Sequence, residues 1–150
     1  MLLKKFISFS ATSLLMTTLG SISMILAFSQ TAAAADLTVN IGDITKGKGH
    51  VMVAVYAGEE DFTKGKSVFA SKVKANNEQE QVIFKDLPDG EYAIKMYQDE
   101  NSNQKLDFNF IGIPKEGYGF SNNVGKFGPP EYHEAKFLVA NSTVISVELL

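Results

Sequence analysis

The chain has 150 residues, with 14 basic and 17 acidic residues, no cysteine and a formal net charge of −3 at pH 7. The absence of cysteine excludes disulfides, thiolate zinc sites and cysteine nucleophiles. The mildly acidic balance and the absence of arginine predict no nucleic-acid binding, because neutralising phosphates requires a basic patch.

The N-terminal segment, residues 1–35, predicts a secretory signal peptide. Two lysines precede an apolar run over residues 6–28, and Ala33 and Ala35 form an A-x-A cleavage site. The alternative is an uncleaved membrane anchor, since about 20 apolar residues can span a bilayer. Serine and threonine dilute this run, which favours cleavage. We therefore predict a periplasmic or secreted protein with one mature domain over residues 36–150, which contacts a membrane only if the segment is not cleaved.

Seven short runs in the mature domain alternate apolar and polar residues with a period of two, which is typical of β-strands. The runs are LTVNI, HVMVAVYA, SVFASKVK, EQVIFKDL, EYAIKMYQ, EAKFLVA and TVISVELL. Turn residues separate them, as at Pro88 followed by Asp89 and Gly90. Residues 58–67 fit either one helical turn or a loop. The pattern predicts an all-β fold, a single antiparallel β-sandwich of about seven strands.

A long irregular region, residues 99–132, follows the fifth run. It contains three of the four prolines of the chain, together with many glycines and aromatic residues. Loops of this length in a compact domain are usually functional or held by a specific interaction. We therefore expect any local function to reside here.

The stretch DENSNQKLD, residues 99–107, is a candidate calcium loop. The candidate ligands are the side chains of Asp99, Asn101, Asn103 and Asp107, the backbone carbonyl of Lys105 and, more distantly, Glu116. The loop is not an EF-hand, because Gln104 and Phe110 stand where that motif has Gly and Glu. Two carboxylates and two amides indicate weak binding, with a Kd of about 10⁻⁴ to 10⁻³ M. The alternative is a metal-free polar turn, because Asx residues bond to their own backbone.

Two further groups in the irregular region are candidates for binding or chemistry. In the aromatic and glycine-rich loop over residues 112–132, Tyr118 and Phe120 are candidates for stacking on a sugar or peptide, or else cap one end of the core. Glu116 and Asp107 are a candidate carboxylate pair for a hydrolase. No nucleophile or metalloprotease motif accompanies either histidine of the chain, so we expect both to lie on the surface.

The motifs FKDLPDGEYAIKMYQDENSNQKLDFNFIGIPKEGYGFSNN and FGPPEYHEAKF, in this order, resemble the bacterial exported proteins grouped as domain of unknown function 2141. The shared pattern is a dLp.G.YA turn and strand, a DeNgNgkLD loop, then GiPkEgyGfSn and fGpP.f..A.f. The resemblance spans nearly all of residues 36–150. At Ser102 and Gln104, however, the family often has glycine, and this departure weakens both tight-turn geometry and strong metal binding.

The resemblance implies an immunoglobulin-like or transthyretin-like sandwich with no assigned activity. The DLPDGEY piece is also similar to turns in carboxypeptidase-regulatory-like and collagen-adhesin-type modules, which are non-catalytic. We therefore predict a non-catalytic binding or structural accessory module with calcium as its one candidate cofactor. The alternatives are a carbohydrate- or peptide-binding module, which would use the 112–132 loop, and a carboxylate-dependent hydrolase. A protein, peptide or glycan is the expected partner.

Overall fold

The computed structural model describes residues 34–150, so the predicted signal peptide lies outside the described residues except for Ala34 and Ala35. The described chain forms eight strands, two short α-helices and one 3₁₀ turn. The strands are β1 (Ala34–Gly42), β2 (His50–Ala57), β3 (Phe69–Lys74), β4 (Glu80–Pro88), β5 (Gly90–Asp99), β6 (Tyr118–Phe120), β7 (Phe137–Val139) and β8 (Thr143–Glu148). The helices are α1 (Glu59–Lys64) and α2 (Tyr132–Ala135), and the 3₁₀ turn covers Ser121–Asn123. In this part of the chain, no helix is both long enough and apolar enough to cross a membrane.

The strands form two sheets, which confirms the predicted all-β sandwich. The first sheet has the order β4-β1-β8, and the second has the order β3-β2-β5-β6, with β7 also pairing with β5. All pairs are antiparallel except β1 with β8, which is parallel. The prediction of a purely antiparallel fold is therefore corrected at this one pair, which joins the first and last strands.

Each of the seven predicted runs contains a strand, and residues 58–67 form the short helix α1. The one strand of the described chain that the sequence did not predict is β6, which lies inside the region predicted to be irregular. A three-residue strand with a central glycine is too short to show alternation. The glycine has a structural reason: a Cβ on Gly119 would lie 2.8 Å from the backbone oxygen of Glu148. Gly119 therefore lets β6 approach β8 and, by alternation, turns Tyr118 and Phe120 to the opposite face.

The main core lies between the two sheets. Val51, Val53 and Val55 of β2 share one apolar cluster with Leu37 and Val39 of β1, and all five are at most 1% exposed. Because successive strand residues point to opposite faces, the alternating pattern buries every second residue against the other sheet. Burial of these side chains is the main source of stability for a domain without disulfides.

A second, smaller apolar cluster covers one end of the outer face of the five-stranded sheet. Its members are Tyr56, Phe62, Ala93, Phe120, Tyr132 and Ala135. Phe62 of α1 packs edge-on against Tyr56 and Tyr132, with ring centroids 5.6 and 5.8 Å apart. The buried Ser121 hydroxyl accepts a hydrogen bond from the Ile94 amide at 2.9 Å and donates one to the Ala135 carbonyl. The sandwich therefore has a third, partial layer on this sheet.

Candidate functional site

The first candidate site is the segment 99–116, here called the acidic loop, which begins at the last residue of β5. Asp99 is buried, and its carboxylate accepts hydrogen bonds from the backbone amides of Asn103 and Gln104, each at 2.9 Å. The Asn101 side-chain oxygen accepts from the same Asn103 amide at 3.0 Å. Asp99 therefore folds the chain back on itself directly after the strand.

The other predicted ligands converge on the same turn. The Asp107 carboxylate accepts from the side-chain amides of Asn101 at 2.6 Å and of Asn103 at 3.1 Å. The Asn103 side-chain oxygen accepts from the Lys105 amide at 2.8 Å. The structure thus brings Asp99, Asn101, Asn103 and Asp107 together in one network of hydrogen bonds, in which carboxylates face amide donors.

Glu116 closes the acidic loop from its far end. This residue is 7% exposed, and its two carboxylate oxygens accept from the backbone amides of Glu100 and Asp107, each at 2.9 Å. Charge-assisted bonds of this kind to a buried carboxylate are among the stronger ones in proteins. Glu116 therefore holds the two ends of the turn together, and neither of its oxygens is without a hydrogen-bond donor.

The backbone of the acidic loop is left-handed at the two positions where the resemblance departs from the family pattern. Ser102 has a φ of 62° and Gln104 a φ of 64°. Residues other than glycine, asparagine and aspartate rarely adopt this backbone conformation, which costs about 1–2 kcal/mol per residue. The hydrogen bonds of Asp99 therefore hold a turn that glycine would form more easily.

The arrangement of charged side chains limits what the acidic loop can do. In residues 34–150, no group of three or more aspartate, glutamate, histidine or cysteine side chains is arranged to hold a metal ion. Any cation in the loop would therefore depend on the asparagine oxygens and backbone carbonyls as well as the carboxylates.

The second candidate site is an open groove of about 410 Å³ on the outer face of the five-stranded sheet, here called the outer-face groove. Residues that line it include Met52, Ala54, Tyr56, Ala70, Lys95, Tyr97, Leu106, Tyr118 and Phe120. Two rows of residues cross the sheet at this place. The first row is Ala70, Ala54, Lys95 and Phe120, and the second is Lys72, Met52, Tyr97 and Tyr118.

The groove exists because two neighbouring residues of its first row are small. Ala54 and Ala70 are paired across β2 and β3, and their short side chains leave space above this part of the sheet. Met52 and Tyr97 of the second row rise on one side, and Tyr56 rises on the other. Most of this lining is apolar or aromatic, as is usual for pockets that bind small molecules.

Lys95 is the one charged residue among those that line the groove. Its ammonium donates to the Phe62 carbonyl at 2.7 Å and lies 4.0 Å from the Phe62 ring centroid and 5.1 Å from that of Tyr56. Partial burial lowers the pKa of this amine below its usual value. The groove therefore joins apolar walls to a single cation.

The predicted ligand contacts Tyr118 and Phe120 both line this groove. Their rings meet edge-on, with centroids 6.0 Å apart and planes at 75°, so they form a wall rather than one flat platform. Phe120 and Tyr132 also belong to the smaller apolar cluster on the outer face of this sheet, whereas Phe110 and Phe127 are fully exposed. The aromatic residues of the 99–132 region therefore divide between covering the sheet and facing solvent.

Sequence reasoning missed the groove residues Met52, Ala54, Tyr56, Lys95 and Tyr97. The available signal was that the runs HVMVAVYA and EYAIKMYQ are largely apolar at both alternating sets of positions, which indicates a sheet covered on both faces. His133 lies outside both sites: it is exposed, and its Nδ1 atom lies 3.2 Å from the Glu131 carboxylate.

Comparison with known proteins yields one match. A family profile described as "Uncharacterized protein conserved in bacteria (DUF2141)" matches residues 39–146, which is well over half of the chain. No curated protein and no solved structure matches the chain. The family match confirms the resemblance found in the sequence motifs.

Proposed function

We propose that this chain, which belongs to the DUF2141 family of bacterial proteins, is an exported, non-catalytic binding module whose ligand lies in the outer-face groove. The observation that carries the proposal is that Tyr118 and Phe120 line an apolar groove of about 410 Å³. Binding pockets commonly measure about 300–1,000 Å³ and combine apolar walls with a few polar groups. A peptide or a glycan with an apolar face fits these walls.

The binding proposal is tested with a neutral fluorescent dye, N-phenyl-1-naphthylamine, whose emission rises in apolar surroundings. We expect saturable binding by the wild-type chain and a loss of at least tenfold in affinity for Ala70→Leu. Ala70 is an exposed residue of the edge strand β3, so a larger side chain fills the groove without entering the core. Ala57→Leu is the matched control, because Ala57 is exposed and lies outside the groove lining. Non-saturable dye binding, or equal affinities for both variants, would contradict the proposal.

The two ligand classes are separated by competition with the same dye. Peptides with aromatic side chains and oligosaccharides are added in parallel, and Tyr118→Ala is compared with the wild type. Tyr118 is half-buried at the groove wall, so its loss removes contact area for either ligand. Displacement by one class alone identifies the ligand, and displacement by neither class rejects both.

Weak calcium binding by the acidic loop is a second proposed property of the module. It is supported by the convergence of Asp99, Asn101, Asn103 and Asp107, which are joined by hydrogen bonds of 2.6–3.1 Å. An ion bound there would brace the turn between β5 and Glu116. At ten times its Kd, calcium would stabilise the fold by about 1.4 kcal/mol.

Thermal unfolding in millimolar calcium and in chelator tests this second property. We expect calcium to raise the Tm of the wild type by a few degrees. Asp107→Asn keeps the size of the side chain but removes a charged ligand, so the rise should disappear. Asp43→Asn, at an exposed aspartate outside the loop, should retain it. A wild-type Tm that is the same in calcium and chelator contradicts calcium binding.

The hydrolase alternative has less support from the geometry. Both oxygens of Glu116 accept backbone hydrogen bonds, and Asp107 is bound by two asparagine amides. Neither carboxylate lines the outer-face groove. A general acid and base need access to substrate, and for this reason the proposal is a binding module rather than an enzyme.

Export rests on the sequence features of residues 1–35, and the experiment that tests it is N-terminal sequencing of the protein recovered outside the cytoplasm. Cleavage before Asp36 would remove only Ala34 and Ala35 from strand β1. The pairing of Leu37 to Ile41 with β4 would remain. Recovery of an intact N-terminus would contradict cleavage.

A further inference from the structure

Among the residues that line the outer-face groove, the one charged side chain is a cation, and the nearby carboxylates of Asp99 and Glu116 lie outside the lining, on the Tyr97 side. Lys95 lies in the first row of the groove, and Lys72 lies in the second row beside Met52. No aspartate or glutamate is among the residues that line the groove. Apolar walls with a cation favour a ligand that carries both an apolar body and a negative charge.

The Lys95 ammonium has hydrogen-bonding capacity that the described residues do not use. Lysine has three N–H donors, and the Phe62 carbonyl accepts one hydrogen bond from this group. Lys95 forms no ion pair with any carboxylate in residues 34–150. The rings of Tyr56 and Phe62 stabilise the cation without neutralising it. Within the described part of the chain, the amine is therefore held in place and partly desolvated, and no carboxylate is paired with it.

We infer that the outer-face groove binds an apolar group that bears a carboxylate, with Lys95 as its counter-ion and the Met52, Tyr97 and Tyr118 side chains against its apolar body. This inference rests on the proposed function and adds the chemical class of the ligand. Two sources present this chemistry: the C-terminal residue of a peptide and a free aliphatic acid. A carboxylate fits Lys95 better than a neutral amide does, because charge-assisted hydrogen bonds are about twice as strong as neutral ones.

Two pairs of probes that differ only in charge test the inference by displacement of the neutral dye. N-acetyl-L-phenylalanine and its amide represent a peptide terminus, and octanoate and octanamide represent an aliphatic acid. For the wild type, the carboxylate of at least one pair should bind roughly three- to tenfold more tightly than its amide, as for a partly exposed ion pair. The pair with the larger preference identifies the source.

Variants of Lys95 separate charge from shape. Lys95→Met keeps a long apolar side chain and should bind carboxylate and amide equally, while Lys95→Arg should keep the preference. Lys72→Met removes the exposed neighbouring cation and should change the preference by less than twofold. A circular dichroism spectrum and a Tm close to those of the wild type show that Lys95→Met is folded.

The outcomes distinguish the inference from the function on which it rests. If the wild type binds the dye but shows equal affinity for carboxylate and amide, or if Lys95→Met retains the preference, the inference is overturned and the binding module stands. If the wild type binds neither dye nor probe, the proposed function is overturned as well.

Discussion

The two faces of the five-stranded sheet carry residues from the same strands but are closed in different ways. On the inner face, Val51, Val53 and Val55 of β2 are at most 1% exposed beneath the other sheet. On the outer face, α1 and α2 cover Tyr56, whereas Met52 and Ala54 remain half-exposed. The inner face is therefore packed throughout, and the outer face is packed at one end only.

The difference shows what an incomplete layer provides. A second sheet covers every row of the sheet beneath it, but two helices of six and four residues cover only part of one face. The uncovered rows with Ala54 and Ala70 leave space that neighbouring side chains do not fill. Stability should therefore reside mainly on the inner face, and binding on the outer face.

The largest loss of stability is expected for a substitution on the inner face of the five-stranded sheet. Ile94→Ala removes a fully buried side chain from the main core and should lower the free energy of unfolding by about 2–5 kcal/mol. Met52→Ala, on the opposite face, should cost less than about 1 kcal/mol, because Met52 is half-exposed. Urea unfolding measures the free energy of unfolding of both variants. Equal losses of stability in the two would contradict the difference expected between the inner and outer faces.

The next largest effect on stability is expected at Ser121, which links the five-stranded sheet to helix α2 on its outer face. Ser121→Ala removes the hydroxyl that accepts from the Ile94 amide and donates to the Ala135 carbonyl. Two buried backbone groups lose their partner, so we expect a loss of about 1–3 kcal/mol in urea unfolding. Ser142→Ala is the control at an exposed serine and should be nearly neutral. A neutral Ser121→Ala would show that the outer layer contributes little to stability.

A smaller effect is expected of pH on the preference of the outer-face groove for a carboxylate. Burial lowers the pKa of Lys95 from 10.5. The preference for a carboxylate over its amide should be complete near neutral pH and should decline as pH rises through this lowered pKa. Burial raises the pKa values of Tyr56 and Tyr97 above 10.0, and the charges of Asp99 and Glu116 also raise that of Tyr97. The shifts move the Lys95 amine and these tyrosines in opposite directions.

Displacement titrations of the acid and amide probes from pH 7 to 11 measure this decline. In Lys95→Met the ratio should not change over the same range. A preference that is constant with pH in the wild type would mean that another cation pairs with the ligand.

The smallest effect lies just beyond the open end, in the acidic loop. Gln104→Gly relieves a left-handed backbone at φ 64° but also makes the unfolded chain more flexible. The two terms partly cancel, so we expect a stabilisation of less than about 1 kcal/mol. Lys105→Gly is the matched control, because Lys105 does not have a positive φ, and it should destabilise slightly. Equal effects of both variants on the Tm would contradict strain at Gln104.

The sandwich could be predicted from the sequence because alternation at period two is a local property of each strand. The runs around Val51 and Ile94 have this period, and both became buried strands. Strand β6 and the parallel pairing of β8 could not be predicted in this way. The first is three residues long, and the second depends on contacts between residues about 100 positions apart.

The candidate sites could be predicted only where their residues are neighbours in sequence. The acidic loop converges as expected because Asp99 to Asp107 fold on themselves. The outer-face groove combines Ala70, Ala54 and Lys95 from three strands, and its depth comes from two alanines. Small residues give no chemical signal in a sequence, so the space above them is visible only after folding.

The parallel pair of β1 and β8 determines the order in which the first sheet can be completed. Residues 37–42 at the start of the described chain pair with residues 143–148 at its end. Until that last segment is available, one edge of β1 has no hydrogen-bonding partners and can pair with other chains. Contacts so distant in sequence also slow folding. The C-terminal strand therefore completes the sheet, and a chain that lacks residues 143–148 should aggregate rather than fold.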